Sequence, residues 1–245
     1  MDLSIVVPCY NEEASLPLLE ERLAATLARL TGDVEIVLMD DGSTDATLAG
    51  LNALAERLAG ARVVRHGRNR GLGAALRTGM AEARGDVIVT IDSDCTYDPI
   101  DIPSLVACLK DADAALGSPY HPEGTTENVQ AYRLALSMTL SRLYRAVLGR
   151  PDLHTFTSMY RAYTREAAAA AESSADDYLA LTEALVSLLD RGYRVVEHPA
   201  VLRVRINGVS KLRVLRMIRR HALMVARLSL RKAPRPVRDS ERCTT

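Results

Sequence analysis

Two aspartates separated by one residue, Asp92 and Asp94, directly follow an apolar run at residues 87–91. The run has the composition of a buried strand, so the carboxylates fall at its carboxyl end, where open parallel α/β sheets bind ligands. Two carboxylates that converge repel each other unless a cation lies between them. Mg²⁺ prefers oxygen ligands and commonly bridges carboxylates to substrate phosphates. The pair therefore predicts a site for Mg²⁺ or Mn²⁺ together with a diphosphate.

Two further polar clusters follow apolar runs earlier in the chain. One (PCYNE) begins at Pro8, which is expected to end its strand, and the other (DDGSTD) begins at Asp40. Because the carboxyl ends of parallel strands meet along one edge of a sheet, both clusters are expected beside Asp92 and Asp94. Asp41, in the second cluster, is expected to accept hydrogen bonds from the base or ribose of a nucleotide.

The elements that must position these clusters alternate in type. Strand-like runs occur at residues 3–7, 34–39, 61–65, 86–91 and 112–116, and segments of helical periodicity separate them. This alternation indicates βαβ units, so the predicted fold is α/β, a Rossmann-like and mostly parallel sheet flanked by helices.

The pattern changes after about residue 117. Helices are predicted over residues 130–148 and 178–191, and strand-like runs over 157–164 and 193–205. We expect one domain over residues 1–210, a basic amphipathic helix over 211–232 and a flexible tail over 233–245.

The charge is unevenly distributed although the formal net charge is zero. Residues 1–202 contain 18 Lys and Arg against 29 Asp and Glu, whereas residues 203–238 contain 12 basic residues and no acid. Such an asymmetry predicts that the basic end meets an anionic partner: phosphate groups, a membrane surface or nucleic acid.

The composition excludes several classes of protein. The chain has one Phe and no Trp, which argues against a nucleic-acid-binding surface that stacks bases on aromatic side chains. The four cysteines lack the paired spacing of a zinc site or a disulfide framework. The amino-terminal run does not have the pattern of a signal peptide, and no apolar stretch approaches the ~20 residues that span a bilayer. Cytoplasmic residence is expected, with peripheral contact at the inner face of the membrane left open.

Five motifs occur along the chain in the order IVVPCYNEE, MDDGSTDAT, GLGAALRTG, DSDCTYDP and NGVSKL. Together they resemble the family 2 glycosyltransferases of the GT-A fold, and within that family the dolichol- or polyprenyl-phosphate mannose synthases. The resemblance covers residues 3 to about 215. It implies that the chain binds a nucleotide-sugar donor and a divalent metal.

The resemblance also implies roles for individual residues. The nucleoside pocket would be formed by Asp41 with Pro8, Tyr10, Glu12 and Met39, and Ser93 would contact the donor. The metal would be held by Asp92 and Asp94, with Thr96 as a further ligand. Arg205 and Lys211, in a segment that closes over the donor, would grip the phosphates and join the aspartates as catalytic residues. Arg133 would face the acceptor phosphate.

Two positions depart from the family pattern. Pro119 stands where the family usually has an arginine that approaches the donor phosphates, so the missing charge is expected from His121, Arg133 or Lys211. Met159 stands where the family has glycine, which reshapes the acceptor pocket.

These observations predict an inverting, metal-dependent transfer of a hexose to a polyprenyl phosphate, with GDP-mannose as the leading donor. A phosphate acceptor is already ionised near neutral pH, so a strong general base is less necessary; if one is used, Asp152 or Glu183 is the candidate. Three alternatives stay open: a transferase acting on a soluble sugar or natural-product hydroxyl, a nucleic-acid-binding protein that uses the basic end, and a nucleotide-sugar-binding module without activity.

Overall fold

The structure is a computed structural model that describes residues 2–204 and 214–231. Its strands are β1 (Leu3–Cys9), β2 (Val34–Asp40), β3 (Ala61–Arg65), β4 (Val87–Thr90), β5 (Ala114–Ser118), β6 (Thr125–Glu127), β7 (Arg161–Thr164), β8 (Val195–Pro199) and β9 (Val201–Arg203). Seven strands form one sheet in the order β3-β2-β1-β4-β7-β5-β8. Strand β7 is antiparallel to both of its neighbours, and the other adjacent strands are parallel. The prediction of a mostly parallel sheet is confirmed.

Helices flank this sheet. They are α1 (Leu16–Leu27), α2 (Thr47–Arg57), α3 (Leu72–Glu82), α4 (Ile102–Ala107), α5 (Ala131–Leu148), α6 (Arg165–Ala170), α7 (Leu179–Asp190) and α8 (Val214–Ser229). All seven residues of β1 are buried, and its apolar side chains contribute to two clusters on opposite faces of the sheet. Ile5 and Val7 pack with leucines of α1 and α2, whereas Val6 packs on the opposite face beside α3. Burial on both faces explains the continuous apolar runs of the central strands.

Strand β1 does not end at Pro8, as the sequence predicted, but continues through it to Cys9. Proline has no N–H to donate to a neighbouring strand. Within β1, Val6 accepts a hydrogen bond from the Ile91 N–H on the β4 side, and the pairing with β4 ends at Val6. The backbone of Pro8, two residues further along, faces the same side, beyond the end of the pairing with β4. Its missing N–H therefore costs no hydrogen bond to β4. The sheet therefore tolerates proline at this position.

The predicted strand at residues 157–164 is shorter in the structure, where β7 begins at Arg161. The Arg161 guanidinium is fully buried and donates to the backbone carbonyls of Phe156 (3.1 Å), Ser158 (2.6 Å) and Leu181 (2.7 Å). The carbonyls of Phe156 and Ser158 accept hydrogen bonds from the Arg161 side chain instead of from a neighbouring strand, so the segment before Arg161 bends around that side chain. This bend brings Met159 to the surface of the cleft described below.

The predicted run at residues 193–205 is divided into β8 and β9, which belong to different sheets. Pro199 ends β8, and the Ala200 N–H turns to donate to the Ser118 carbonyl at 3.1 Å. Strand β9 then pairs with β6 in a two-stranded parallel sheet. Arg205 lies outside the described residues.

Helix α8 packs on α5 and α7 through one face. His221 is buried in this face, and its Nδ1 lies 2.8 Å from the Tyr144 hydroxyl. Burial lowers the pKa of His221 to about 4, so the ring is neutral near pH 7 and Nδ1 can accept a hydrogen bond from the Tyr144 hydroxyl. The predicted helix began at residue 211, but Lys211 and the tail at 233–245 lie outside the described residues. Among the helices that the structure describes, none is long and apolar enough to cross a bilayer.

Candidate active site

A cleft of about 930 Å³ opens at the carboxyl ends of β1, β2 and β4. It is the place where an open α/β sheet binds its ligands. Its lining contains most of the predicted site residues, namely Pro8, Tyr10, Glu12, Asp41, Asp92, Ser93, Asp94, Thr96 and Arg133. The structure thus brings together three clusters that are far apart in the sequence.

The tip of β4 presents both aspartates of the predicted metal site to the cleft. The Thr96 N–H donates to Asp94 Oδ1 at 3.1 Å, which fixes the turn that carries the carboxylate. Cys95, between them, has a positive φ of 54°, a conformation that non-glycine residues rarely adopt. Burial raises the pKa of Cys95 to about 12. Its sulfur is a soft ligand, whereas Mg²⁺ prefers oxygen. The carboxylates are therefore the groups of this turn that suit a hard divalent cation.

The donor set fits a hard divalent cation bound together with a phosphate ligand. Among the residues that the structure describes, no group of three or more His, Cys, Asp or Glu side chains forms a complete metal cage. Mg²⁺ is typically bound by one or two carboxylates, with substrate phosphates and water completing its coordination. Asp92 and Asp94 meet this requirement, and Thr96 lies in the same cleft, where its role as a ligand stays a prediction.

The tip of β1 is tied to the loop that follows β2 through Asn11. The Asn11 N–H donates to Ser43 Oγ at 3.0 Å, and Asn11 Oδ1 accepts the Thr44 N–H at 2.8 Å. Asn11 has a φ of 52°, in the left-handed region that asparagine tolerates better than most residues. The next residue, Glu12, is buried, and its N–H donates to Thr47 Oγ1 at 2.7 Å. These bonds hold the Pro8–Glu12 turn in place beside the cleft.

The tip of β2 presents Asp41, but its carboxylate is already engaged by the protein. Oδ1 accepts hydrogen bonds from His66 Nδ1 at 2.7 Å and from the Arg70 N–H at 2.9 Å. Oδ2 accepts the Gly71 N–H at 2.7 Å. Asp41 therefore also anchors the loop between β3 and α3, a role that the sequence did not indicate.

Met39 does not line the cleft, contrary to the prediction from the family resemblance. Side chains alternate between the faces of a strand, and Met39 lies in β2, where it is fully buried. Its Cβ faces Gly79 of α3, beneath the sheet. Met39 supports the strand tip from the core.

Among the described residues, three elements contribute cationic side chains to the cleft. Arg133 lies in the first turn of α5, Arg203 ends β9 and Arg216 lies in α8. Arg203 is paired with Glu127 at 3.2 Å, whereas Arg133 donates to the neighbouring Tyr132 hydroxyl. Arg205 and Lys211, the predicted phosphate-binding residues, lie outside the described residues and stay predictions.

Pro119 is buried where the family has an arginine, so this position offers no charge to the cleft. His121, which was considered as a replacement, is not among the lining residues and instead packs edge-on against His154. Of the described residues that could supply the missing charge, Arg133 lines the cleft. Arg216 also lines the cleft, which the sequence did not predict.

Both predicted candidates for a general base lie elsewhere. Asp152 is paired with Arg150, and Glu183 accepts the N–H groups of Ser174 and Ala175; neither lines the cleft. The acids that do line it, beyond those predicted, are Asp176 and Asp177 at the start of α7. Each is bound by an arginine: Arg77 contacts Asp176 and Arg220 contacts Asp177. An acidic pair directly before a predicted helix was the only sequence signal for them.

A mostly parallel α/β sheet with an acidic cleft at its carboxyl edge belongs to the class of open α/β folds that bind their ligands at this edge. A sequence profile described as glycosyl transferase family 2 matches residues 4–170, and the chain belongs to this family. It is 32% identical to the dolichol-phosphate mannosyltransferase of Pyrococcus furiosus, over 87% of this chain and 60% of that protein. It is 35% identical to the polyprenol monophosphomannose synthase of Mycolicibacterium smegmatis, over 85% of this chain and 80% of that protein. The predicted resemblance is confirmed, and the chain spans less than two thirds of the length of the first relative.

The fold is also similar to that of glucosyl-3-phosphoglycerate synthase from Mycobacterium tuberculosis, solved with Mn²⁺, UDP and phosphoglyceric acid. The TM-score is 0.70 at 24% identity, and the match covers 98% of this chain and 80% of that one. This likeness confirms the predicted GT-A-type fold.

The loop that Asp41 anchors requires glycine at position 71, and substitution there should weaken the site. Gly71 has a φ of 95°, and an added Cβ would lie 2.2 Å from the Asp176 carbonyl oxygen. We expect Gly71→Ala to lower the free energy of unfolding by about 1–3 kcal/mol and to reduce nucleotide affinity. Gly67→Ala in the same loop is the control, because a Cβ there meets no atom within 4 Å. Urea unfolding and UDP or GDP titration would measure both effects, and equal behaviour of the two variants would contradict this reading.

Proposed function

We propose that this chain transfers a hexose, with inversion, from a nucleotide diphosphate sugar to a polyprenyl phosphate, and that GDP-mannose is the donor. The observation that carries the proposal is the convergence of Asp92, Asp94 and Asp41 with Arg133 in one cleft. The acids suit a metal-bound diphosphate and a nucleoside, and the arginine suits the phosphate of a second substrate. The names of the two relatives, a dolichol-phosphate mannosyltransferase and a polyprenol monophosphomannose synthase, support the sugar and the acceptor class.

In the proposed reaction an oxygen of the acceptor phosphate attacks the anomeric carbon, and the bond from that carbon to the nucleoside diphosphate breaks. Asp92 and Asp94 would hold a divalent metal, which would neutralise the charge that develops on the leaving diphosphate. Asp41 would orient the nucleoside. Because the acceptor is already an anion, the residues of the chain need to position it and need not remove a proton from it.

Removing one carboxylate of the acidic pair should strongly slow transfer. We expect Asp94→Asn to lower kcat/KM at least about 100-fold, because metal-based charge stabilisation is worth several kcal/mol and 1.4 kcal/mol is tenfold in rate. Transfer of labelled mannose from GDP-mannose in the presence of Mn²⁺ would measure the effect, and EDTA should abolish the wild-type reaction. Asp111→Asn, at an exposed aspartate outside the cleft, is the control. Undiminished transfer by Asp94→Asn would rule out the proposed metal site.

Arg133 is proposed to bind the acceptor phosphate. We expect Arg133→Gln to raise KM for a short-chain polyprenyl phosphate about tenfold, while KM for the donor changes less than about twofold. The tenfold effect corresponds to the lower end of the free energy contributed by a hydrogen bond to a charged group. Arg142→Gln is the matched control, because Arg142 is exposed on the same helix and lies outside the cleft. A change in donor KM alone would reassign Arg133 to the donor.

A transferase that acts on a soluble hydroxyl acceptor is the second candidate. It is favoured by the buried Pro119, which removes a phosphate-binding arginine from the family pattern. Supplying labelled donor with polyprenyl phosphate and with soluble sugars in parallel separates the two. Transfer to soluble acceptors alone would replace our proposal with this one.

A lipid acceptor requires access to a membrane, and we propose that α8 provides it. One face of α8 is fixed to the domain through His221 and Leu228, both buried. The rest of the helix exposes apolar side chains, including Leu223 (50% exposed), among arginines and without any acidic residue, and Leu230, directly after the helix, is 89% exposed. On the neighbouring α5, Tyr132 is 60% exposed. Basic and apolar side chains on one surface are typical of helices that lie on anionic bilayers.

Binding to anionic vesicles should depend on the arginines of α8. Each basic residue near an anionic surface contributes about 1 kcal/mol, so we expect the double variant Arg219→Gln/Arg227→Gln to bind phosphatidylglycerol vesicles about 30-fold more weakly. Co-sedimentation at low salt would measure this, with phosphatidylcholine vesicles as the neutral comparison. The control is Arg29→Gln/Arg84→Gln, which removes the same charge from exposed positions away from α8. Equal binding by both double variants would contradict a specific role of α8.

A further inference from the structure

A chain of hydrogen bonds runs from the Asp41 carboxylate in the cleft to residues behind it. His66 follows β3 and is only 6% exposed. Its Nδ1 lies 2.7 Å from Asp41 Oδ1, and its Nε2 lies 2.9 Å from Oγ1 of Thr78 in α3. Neither His66 nor Thr78 lines the cleft, so any effect they have on a ligand is indirect, and Asp41 is the cleft residue to which His66 is hydrogen-bonded.

The partners of the imidazole determine which nitrogen carries its proton. An ionised carboxylate can only accept, so Nδ1 must donate to Asp41. On the other side, the Arg70 guanidinium, which can only donate, lies 3.4 Å from Nε2. Nε2 is therefore the acceptor, and the Thr78 hydroxyl also donates to it. The ring is held as the neutral tautomer with the proton on Nδ1.

This arrangement fixes the direction of the Asp41 carboxylate. Oδ1 accepts two hydrogen bonds, from His66 and the Arg70 N–H, whereas Oδ2 accepts one, from the Gly71 N–H. A carboxylate has about four acceptor sites, so one remains, on Oδ2. Since the rest of the carboxylate is occupied by protein donors, an incoming base N–H or ribose hydroxyl meets a single acceptor in a fixed orientation.

We propose that His66 and Thr78 are positioning residues for the nucleoside: the Thr78 hydroxyl holds the ring by donating to Nε2, and His66 in turn orients Asp41 toward the donor. This inference rests on the proposed function, in which Asp41 contacts the nucleoside. A purely structural anchor would affect stability and the turnover number together. A positioning role instead affects the affinity for nucleotide and leaves turnover at saturating donor nearly intact.

The conservative substitutions separate these two roles. Asn at position 66 carries an amide nitrogen where His66 has Nδ1, so His66→Asn keeps a donor to Asp41, whereas His66→Leu removes it. We expect His66→Leu to weaken UDP or GDP binding in the presence of Mn²⁺ about tenfold to 100-fold and to raise donor KM equally, with kcat within about threefold. His66→Asn should restore most of the affinity.

Thr78 tests the same chain without altering the histidine, and it keeps the proposal falsifiable if His66→Leu fails to fold. Thr78→Val keeps the shape and removes the hydroxyl, and we expect about threefold to tenfold weaker nucleotide binding, with Thr78→Ser close to wild type. Thr26→Val is the matched control: Thr26 is fully buried, and its hydroxyl donates to the Arg22 carbonyl within α1.

Calorimetric titration with UDP and with GDP, each with Mn²⁺, followed by donor KM and kcat, decides the outcome. Wild-type affinity in both His66→Leu and Thr78→Val would overturn the positioning role while leaving the proposed function intact. A fall in kcat at unchanged KM would also overturn it. A wild-type protein that binds neither nucleotide would overturn the proposed function, and this inference with it.

Discussion

The site depends on one constraint, the convergence of carboxylates at the carboxyl edge of a parallel sheet. Strands β1, β2 and β4 run in the same direction side by side, so the residues that follow them meet in one cleft whatever their separation in the sequence. Asp41, Asp92 and Asp94 are brought together in this way. Like charges at this density repel each other unless donors and cations compensate them. The protein supplies donors to Asp41, and the Thr96 N–H donates to Asp94. We propose that a metal compensates the remaining charge of Asp92 and Asp94.

The surrounding loops are built to keep these acids in place. Asn11 joins the tips of β1 and β2, and Asp41 joins the tip of β2 to the loop before α3. Gly71 and Gly73 then let that loop approach the residues before α7, because a Cβ at either position would clash with a backbone carbonyl there. The cleft is thus connected, through short backbone contacts, to α3 and to the segment before α7.

The features predicted correctly have a local signal in the sequence. The aspartates at 92 and 94 follow an apolar run directly, and the alternation of strands and helices indicates the sheet. Met39 was assigned wrongly because a family resemblance carries no information about strand alternation, which points this side chain into the core. Asp177 and Arg216 enter the cleft through the packing of α7 and α8, a long-range arrangement that periodicity does not reveal. The bond between His66 and Asp41 has no sequence signature for the same reason.

The most direct test is a crystal structure of the protein with Mn²⁺ and a nucleoside diphosphate, using anomalous scattering to locate the metal. The account predicts one manganese ion coordinated by oxygens of Asp92 or Asp94 and of the diphosphate, with the nucleoside beside Asp41. A manganese ion bound elsewhere, with both aspartates directed into solvent, would contradict it.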